Sequence, residues 1–552
     1  MIGPAPDDNP TERLTVIGPE PSIGRASSVM AVASLVSRIT GFLRQVALFT
    51  ALGATILNDA YTVANTLPNI VYELLLGGAL SSVMIPLLVR AQKEDPDGGE
   101  AYTHKLITLA AVALLLATAI GVAAAPLLTQ LYMGAGATST ADPELATTLA
   151  YMLLPQIFFY GLGAILGAIL NSKGAFGAFA WAPVFNNVVV LGVVAAYLVV
   201  PDDAQLLVLG VGTTIGIVAQ TLVLLPALGR GGFRYRPQWG WDQRLTQASG
   251  LAGWALLYVL IGQAGLIVTT RIATSADGGA YAIYSNAWLL LQVPYGVLGV
   301  SLLTALMPRM SRAAADGRTD DLAADLGLGS KLASVLLVPI SVLLTVFGTA
   351  VGVALFGIRS GNLEGANDLG AVLAISAFGL LPFAITMLQL RVFYALTDSR
   401  TATLVQLFTV GVKIPLMLAC PILLPPENVV LGLAAANSAS FVAGAVLGQI
   451  LLRRKLGQVP TGAVLSTTAR TLLASLIGVL LAAGVVALLD AGPFAALTPL
   501  ARAWSVLGVA VFVGGLITVL GMWLLRVREV TSITQRLERL VDRRNARRRT
   551  SA

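Results

Sequence analysis

Charge is scarce in this chain. Asp, Glu, Lys and Arg make up 11% of its 552 residues and 56% are hydrophobic, whereas an ordinary soluble domain is about a quarter charged. With a mean hydropathy of +0.81 it has too little polar surface to cover its apolar mass, which excludes a soluble fold. Cysteine and histidine are rarer still, with one of each. Cys420 has no partner for a disulfide, and His104 has none for a zinc site or a hydrolytic triad. No G-x-x-x-x-G-K-[ST] sequence occurs, because Gly327-Leu-Gly-Ser-Lys331 has the wrong spacing, so no phosphate loop for ATP is expected. The net charge of +7 would suggest nucleic acid in a soluble protein. Here membrane topology accounts for it, and no nucleic-acid partner is expected.

Long apolar runs are what the chain does have. After a polar, proline-rich stretch (1–27) that reads as a disordered leader and not as a signal peptide, fourteen segments can each cross about 30 Å of hydrocarbon. They lie near 28–52, 57–92, 104–132, 145–171, 178–200, 204–229, 246–273, 279–309, 328–356, 367–396, 401–423, 428–452, 464–490 and 499–525. The connections alternate in charge. Arg90 and Lys93, Lys173, Arg230 to Arg244, Arg309 to Arg318, Arg400, and Arg453 to Lys455 fall in every second one. Asp142, Asp202, Asp203, Asp277 and Glu427 occupy the others, with Arg359 the exception. The positive-inside rule then places both termini and the basic loops in the cytoplasm of a multi-pass cell-membrane protein. The arginine-rich tail (527–552) carries Val530, Ile533, Leu537 and Leu540 at helical spacing. It is either an amphipathic helix on anionic lipid or a plain stop-transfer flank.

The sequence Pro-x-x-x-Arg-Ala occurs at Pro86 to Ala91 and again at Pro308 to Ala313, at the ends of the second and eighth segments. Six spans separate the two copies. The expected architecture is therefore all-α, with two six-helix lobes (28–229 and 246–456) in parallel pseudo-twofold arrangement. A basic loop (230–245) joins them, and two extra helices (460–526) follow.

Ionisable groups within spans are costly, so they point to function. Ser34, Ser37, Arg38, Gly41, Arg44 and Gln45 form one polar stripe on the first segment. Ideal geometry puts Arg38 and Arg44 about 9 Å and roughly 120° apart. Asp59, Thr62, Thr66, Asn69, Glu73 and Gly77 form a stripe on the second. Facing stripes would line a hydrated cavity in which guanidinium groups meet a pyrophosphate or carboxylate. The structural alternative is that Arg44 pairs with Asp59 and Arg38 snorkels to the interface. Lys413, near Pro415, is either a further cavity cation or a group that satisfies carbonyls at a helix break. The glycines at 161, 163 and 167 suggest close helix packing.

Several runs resemble the MurJ/MviN family. They are Ser37 to Arg44 (SRITGFLR), Asn58-Asp59-Ala60, Leu67-Pro-Asn69, Gly167 to Asn171 (GAILN) with Ala182-Pro183 and Asn187, Val293 to Gly299 (VPYGVLG), and Phe393 to Asp398 with Arg400-Thr401. The stretch Ile283 to Gln292 is most similar to actinobacterial members, some of which carry a kinase-like domain after the membrane part. The resemblance spans about residues 28–526. It implies a flippase for lipid II, the undecaprenyl-pyrophosphate-linked peptidoglycan precursor, on a fold shared with MATE-type transporters. It also implies that Arg38, Arg44 and Asp59 are functional, and that the last two helices form a groove for the lipid tail. Tyr72 and Leu289 stand where better-known members have cavity arginines, and Glu73 where they have a basic residue. Asp398 matches one of the sodium ligands proposed in some relatives, without a full set.

The reading is a transporter, not an enzyme, with substrate contacts at Arg38, Arg44, Asp59, Asn69, Glu73 and Lys413. No cofactor is expected; a membrane potential or ion gradient would drive it, and cell-wall synthesis or division proteins are the expected partners. The alternatives are a MATE-like drug/ion antiporter, a flippase for another polyprenyl-linked glycan, and a scaffold for division proteins.

Overall fold

The computed structural model describes residues 23–76, 85–134, 142–230 and 233–529. Among them the chain is helical with no strand. The first bundle contains α1 (Ile23–Leu52), α2 (Ile56–Leu76), α3 (Ile85–Glu94), α4 (Glu100–Ala123), α5 (Ala125–Met133), α6 (Pro143–Leu153), α7 (Gln156–Ser172), α8 (Phe176–Tyr197), α9 (Asp202–Leu222) and α10 (Leu224–Arg230). The second contains α11 (Gln243–Ala276), α12 (Ala280–Pro294), α13 (Val300–Ala315), α14 (Thr319–Phe356), α15 (Leu363–Ser376), α16 (Leu380–Ala395), α17 (Ser399–Leu423) and α18 (Val429–Leu456). Three more follow: α19 (Thr461–Asp490), α20 (Pro499–Val509) and α21 (Gly515–Leu524).

Eleven helices among the described residues are long and apolar enough to cross a membrane, and twelve if the bent pair α6 and α7 counts as one span. The expected segments missing from that count are 57–92 and 279–309, the two that carry the repeat. The reason lies in their composition. The polar residues of α2 lower its hydropathy, and α2 and α3 are separated by residues 77–84, which lie outside the described part. The other segment is interrupted by a π-helical turn at Tyr295–Gly299, directly after Pro294, whose missing N–H loosens the ladder. Residues 1–22 of the expected leader and 530–552 of the expected tail also lie outside the described residues. Helix α1 begins at Ile23, five residues before the expected start of the first span.

Small residues set the close contacts, as membrane packing requires. A Cβ on Gly161 would lie 2.2 Å from Leu114 Cδ2, and one on Gly167 would lie 2.2 Å from the Phe179 ring, so the glycine run is a packing surface. Within the first bundle α1 lies along α8; it has little contact with α2. In the second, α14 packs on α15, and α17 lies between α11 and α18. Helices α19 and α20 dock on α14 and α21 pairs with α19; Val338, Val342 and Phe347 meet Val479, Ala482 and Val506.

Candidate functional site at the seam between the bundles

The polar stripe of α1 runs along the seam, but its residues have different tasks. Asn187 of α8 donates to Ser37 O (3.1 Å) and Thr40 Oγ1 (3.0 Å) and would crowd a Cβ on Gly41 at 3.3 Å. That part of the stripe therefore packs helix on helix. Gln45 Nε2 crosses the seam to Asn286 Oδ1 of α12 (2.9 Å). Arg38 reaches across as well, since a Cβ on Gly296 in the π turn would sit 2.5 Å from Arg38 Nη1. Arg44 is half-buried and close enough to Tyr61 and Tyr160 for its charge to act on their hydroxyls. Its Nε is buried without a hydrogen-bond partner. Among the described residues neither arginine has an ion pair.

Asp59 is not Arg44's partner. It is buried, and its two oxygens accept from Gly279 N (2.9 Å) and Ala282 N (2.7 Å) of the second bundle. The first N–H groups of a helix have no partner within it. Helix α12 begins after Gly279, which has no side chain to cap it, so a carboxylate from the other bundle does so, at the end favoured by the helix dipole. The alternative charge pair with Arg44 does not form, because these backbone donors are fixed within hydrogen-bond reach.

The seam is closed at this end by further contacts. Phe49 meets Phe356 edge-on at 5.0 Å. Asn362 Nδ2 donates to Thr50 O (2.9 Å). Gly279 adopts φ +88°, and a Cβ there would lie 2.2 Å from the Ala54 carbonyl carbon. Just outside these contacts is a cavity of about 510 Å³ walled in part by Asp277, Glu364, Asp368 and Glu427. The seam is thus cationic at Arg38 and Arg44 and anionic at its closed mouth.

The remaining expected residues are dispersed. Asn69 and Glu73 are exposed on α2. Lys413 belongs to the interior of the second bundle, its Cδ 3.8 Å from the Cβ site of Gly265 in α11, away from the α1 stripe. Asp398 caps helix α17. It accepts from Thr401 N (2.9 Å) and Thr401 Oγ1 (2.5 Å), and it pairs with Lys455. Partial burial pushes its carboxyl up, but the Lys455 and Thr401 bonds outweigh this and hold it below the usual carboxylate range. The described residues contain no His, Cys, Asp or Glu cluster that could hold a metal ion.

A family model described as "Lipid II flippase MurJ" matches residues 48–500. The chain belongs to the MurJ family. The chain is similar to a lipid II flippase MurJ of Burkholderia cenocepacia, 28% identical over 433 residues, or 76% of this chain and 81% of that protein. It is also similar to a probable lipid II flippase MurJ of Vibrio cholerae, 28% identical over 393 residues, or 68% and 73%. In fold it matches a solved lipid II flippase MurJ in an inward closed conformation, with TM-score 0.72, 18% identity, and 91% of this chain and 100% of that one covered. An inward-facing multidrug transporter of the MATE family follows with TM-score 0.60, 15% identity, and coverage of 78% and 98%.

In this MurJ member Tyr72 lies against Tyr160 with ring centroids 5.9 Å apart, and Leu289 is 36% exposed on α12. An aromatic wall therefore stands beside Arg44. The sequence signal that could have found the seam is the helix start at Gly278-Gly279, which lacks a capping side chain of its own.

A second feature suits an apolar chain. Helices α14, α16, α18 and the start of α19 enclose a cavity of about 370 Å³, apolar except for Ser330, Gln389, Gln449, Arg453 and Thr461.

Proposed function

We propose that this chain moves lipid II from the inner to the outer leaflet by alternating access. The observation that carries the reading is the pair of unpaired guanidinium groups on α1, facing the seam in a chain of the MurJ family. A half-buried arginine without a counter-ion is costly, and a pyrophosphate would supply two acceptors in the geometry its fork prefers. The headgroup enters from the side away from the Asp59 contact and rests at Arg38 and Arg44. The prenyl tail lies in the apolar cavity beside α19. The bundles then rock about the seam, and the Asp59 contact opens to let the headgroup leave on that side. A membrane potential or ion gradient drives the cycle. Labelled lipid II in cells depleted of the protein is the test: the inner-leaflet pool should grow and the surface-exposed pool should fall. Unchanged pools combined with lost drug efflux would replace this reading by a MATE-like one.

The same proposal sets orientation. The basic helix ends, which alternate with acidic ones, face the cytoplasm. In a Cys420→Ala background, Arg454→Cys should resist a membrane-impermeant thiol reagent in intact cells, and Glu144→Cys should react. Equal labelling of the two would reverse or abolish the assignment.

A further inference from the structure

The connection between the bundles, residues 233–242, contains no helix, yet it is fastened along α4. Arg236 N donates to His104 Nδ1 (3.3 Å) and Gln238 N to Thr108 Oγ1 (3.2 Å). Donors two residues apart on an extended chain are about 7 Å apart, close to the rise of about 6 Å between His104 and Thr108, four residues apart on the helix. The strap therefore climbs one face of α4. Tyr235 Oη also meets Thr108 Oγ1 (2.9 Å), and the Phe233 ring lies 5.1 Å from the His104 ring, with Lys173 Nζ 5.0 Å from its centroid.

Thr108 is eight residues into α4, about 12 Å from the start of the helix. One turn further on the same face the exposed apolar band begins, with Val112 at 45% and Leu116 at 61% exposure. The strap thus runs toward the exposed apolar band of α4. Beyond Gln238 the strap passes the Lys105 side chain, whose Cε lies 3.3 Å from the Cβ site of Gly240, and it presents two exposed tryptophans there, Trp239 at 71% and Trp241 at 70% exposure. Arg234 and Arg236 are exposed beside them. They share a cavity of about 310 Å³ with Asp97, Glu100 and His104, and Asp97 is already engaged by Gly99 N (3.0 Å) and Ala101 N (2.7 Å).

Indole rings partition to the headgroup layer, where their apolar body and N–H are both satisfied, and guanidinium groups pair with phosphate oxygens. We propose that the strap is a binding site for anionic phospholipid in the leaflet on the basic side of the membrane. Trp239 and Trp241 lie among the headgroups, and Arg234 and Arg236 hold phosphate. The strap links the bundles and bonds to α4, so lipid held there anchors the first bundle while the second moves. The binding step itself does not depend on what is transported.

The test places the full-length protein in nanodiscs of phosphatidylcholine and phosphatidylglycerol, with either lipid brominated near the top of its acyl chains. The chain has seven tryptophans, so the strap signal is the difference between wild type and Trp239→Phe/Trp241→Phe. All four positions are exposed, where substitution rarely perturbs folding. Brominated lipid should quench the strap signal, and at equal mole fraction the phosphatidylglycerol should quench more. Each arginine contributes about a fivefold local enrichment of anionic lipid. Arg234→Gln/Arg236→Gln should remove that preference and keep quenching by phosphatidylcholine. Native mass spectrometry should show the same variant losing phosphatidylglycerol adducts. A strap signal quenched by acrylamide and untouched by brominated lipid would overturn the proposal and mark the indoles as a surface for a soluble partner. Equal quenching by the two lipids in the wild type would overturn the anionic assignment.

Discussion

Arg44→Ala will stop lipid II translocation in a protein that still inserts and folds. The substitution removes a forked donor worth two charge-assisted bonds, about 1.5–3 kcal/mol each, so transport should fall at least a hundredfold. Folding should not suffer, because Arg44 has no ion pair among the described residues and its Nε is buried unbonded. Removing an unpaired, half-buried cation relieves a desolvation cost, and thermal stability should stay level or rise slightly. Arg44→Lys keeps the charge without the fork and should fall between the two. Arg44→Ala/Asp59→Ala should be no better than the single variant, since the Asp59 oxygens are held by Gly279 N and Ala282 N. Transport per folded molecule, measured with the unfolding temperature, decides the matter. A destabilised Arg44→Ala that transports normally would make Arg44 a structural residue.

Asp59→Ala will open the seam at its closed end. It deletes two charge-assisted bonds between the bundles and leaves the start of α12 uncapped, a loss of about 3–5 kcal/mol from the closed state. A change of 3 kcal/mol shifts a two-state population by roughly two orders of magnitude. In a Cys420→Ala background, Ala54→Cys beside the seam should react faster with an impermeant thiol reagent when Asp59→Ala is added. Asp59→Asn keeps one acceptor and should give a smaller increase. Gly279→Ala should act in the same direction, because a Cβ there meets Ala54 at 2.2 Å in a φ +88° backbone. Labelling of Ala54→Cys that ignores Asp59 would remove its role as a latch between the bundles. Transport should fall in these variants for a different reason than at Arg44: the substrate contacts remain, but the state that receives substrate is depopulated and apparent affinity falls with it.

The all-helical membrane fold was legible because it follows from local chemistry. Runs of twenty apolar residues can hide their backbone polarity in a bilayer only as helices or closed barrels. Twelve expected spans rest on that argument alone. The two that depart from it, 57–92 and 279–309, do so where polar residues or Pro294 outweigh hydropathy. These are the segments that meet at the seam. Arg38 and Arg44 could be found for a related reason: a charge inside a span has to be explained by something other than lipid.

What the residues alone could not reveal is which groups meet across the seam. An Asp59 carboxylate one turn into a helix is compatible with pairing to Arg44, with substrate or with a backbone cap. Choosing among them needs the position of Gly279 and Ala282, over two hundred residues away in the chain. The same holds for Gln45 with Asn286 and for Asn187 with the Ser37 carbonyl. It also explains why Lys413 is absent from the α1 stripe and why Asp398 serves Thr401 and Lys455. Helix formation and membrane insertion are decided within a few turns of chain. A charge's partner is decided by whichever donor the packed bundles bring within 3 Å, and only the tertiary structure sets that distance.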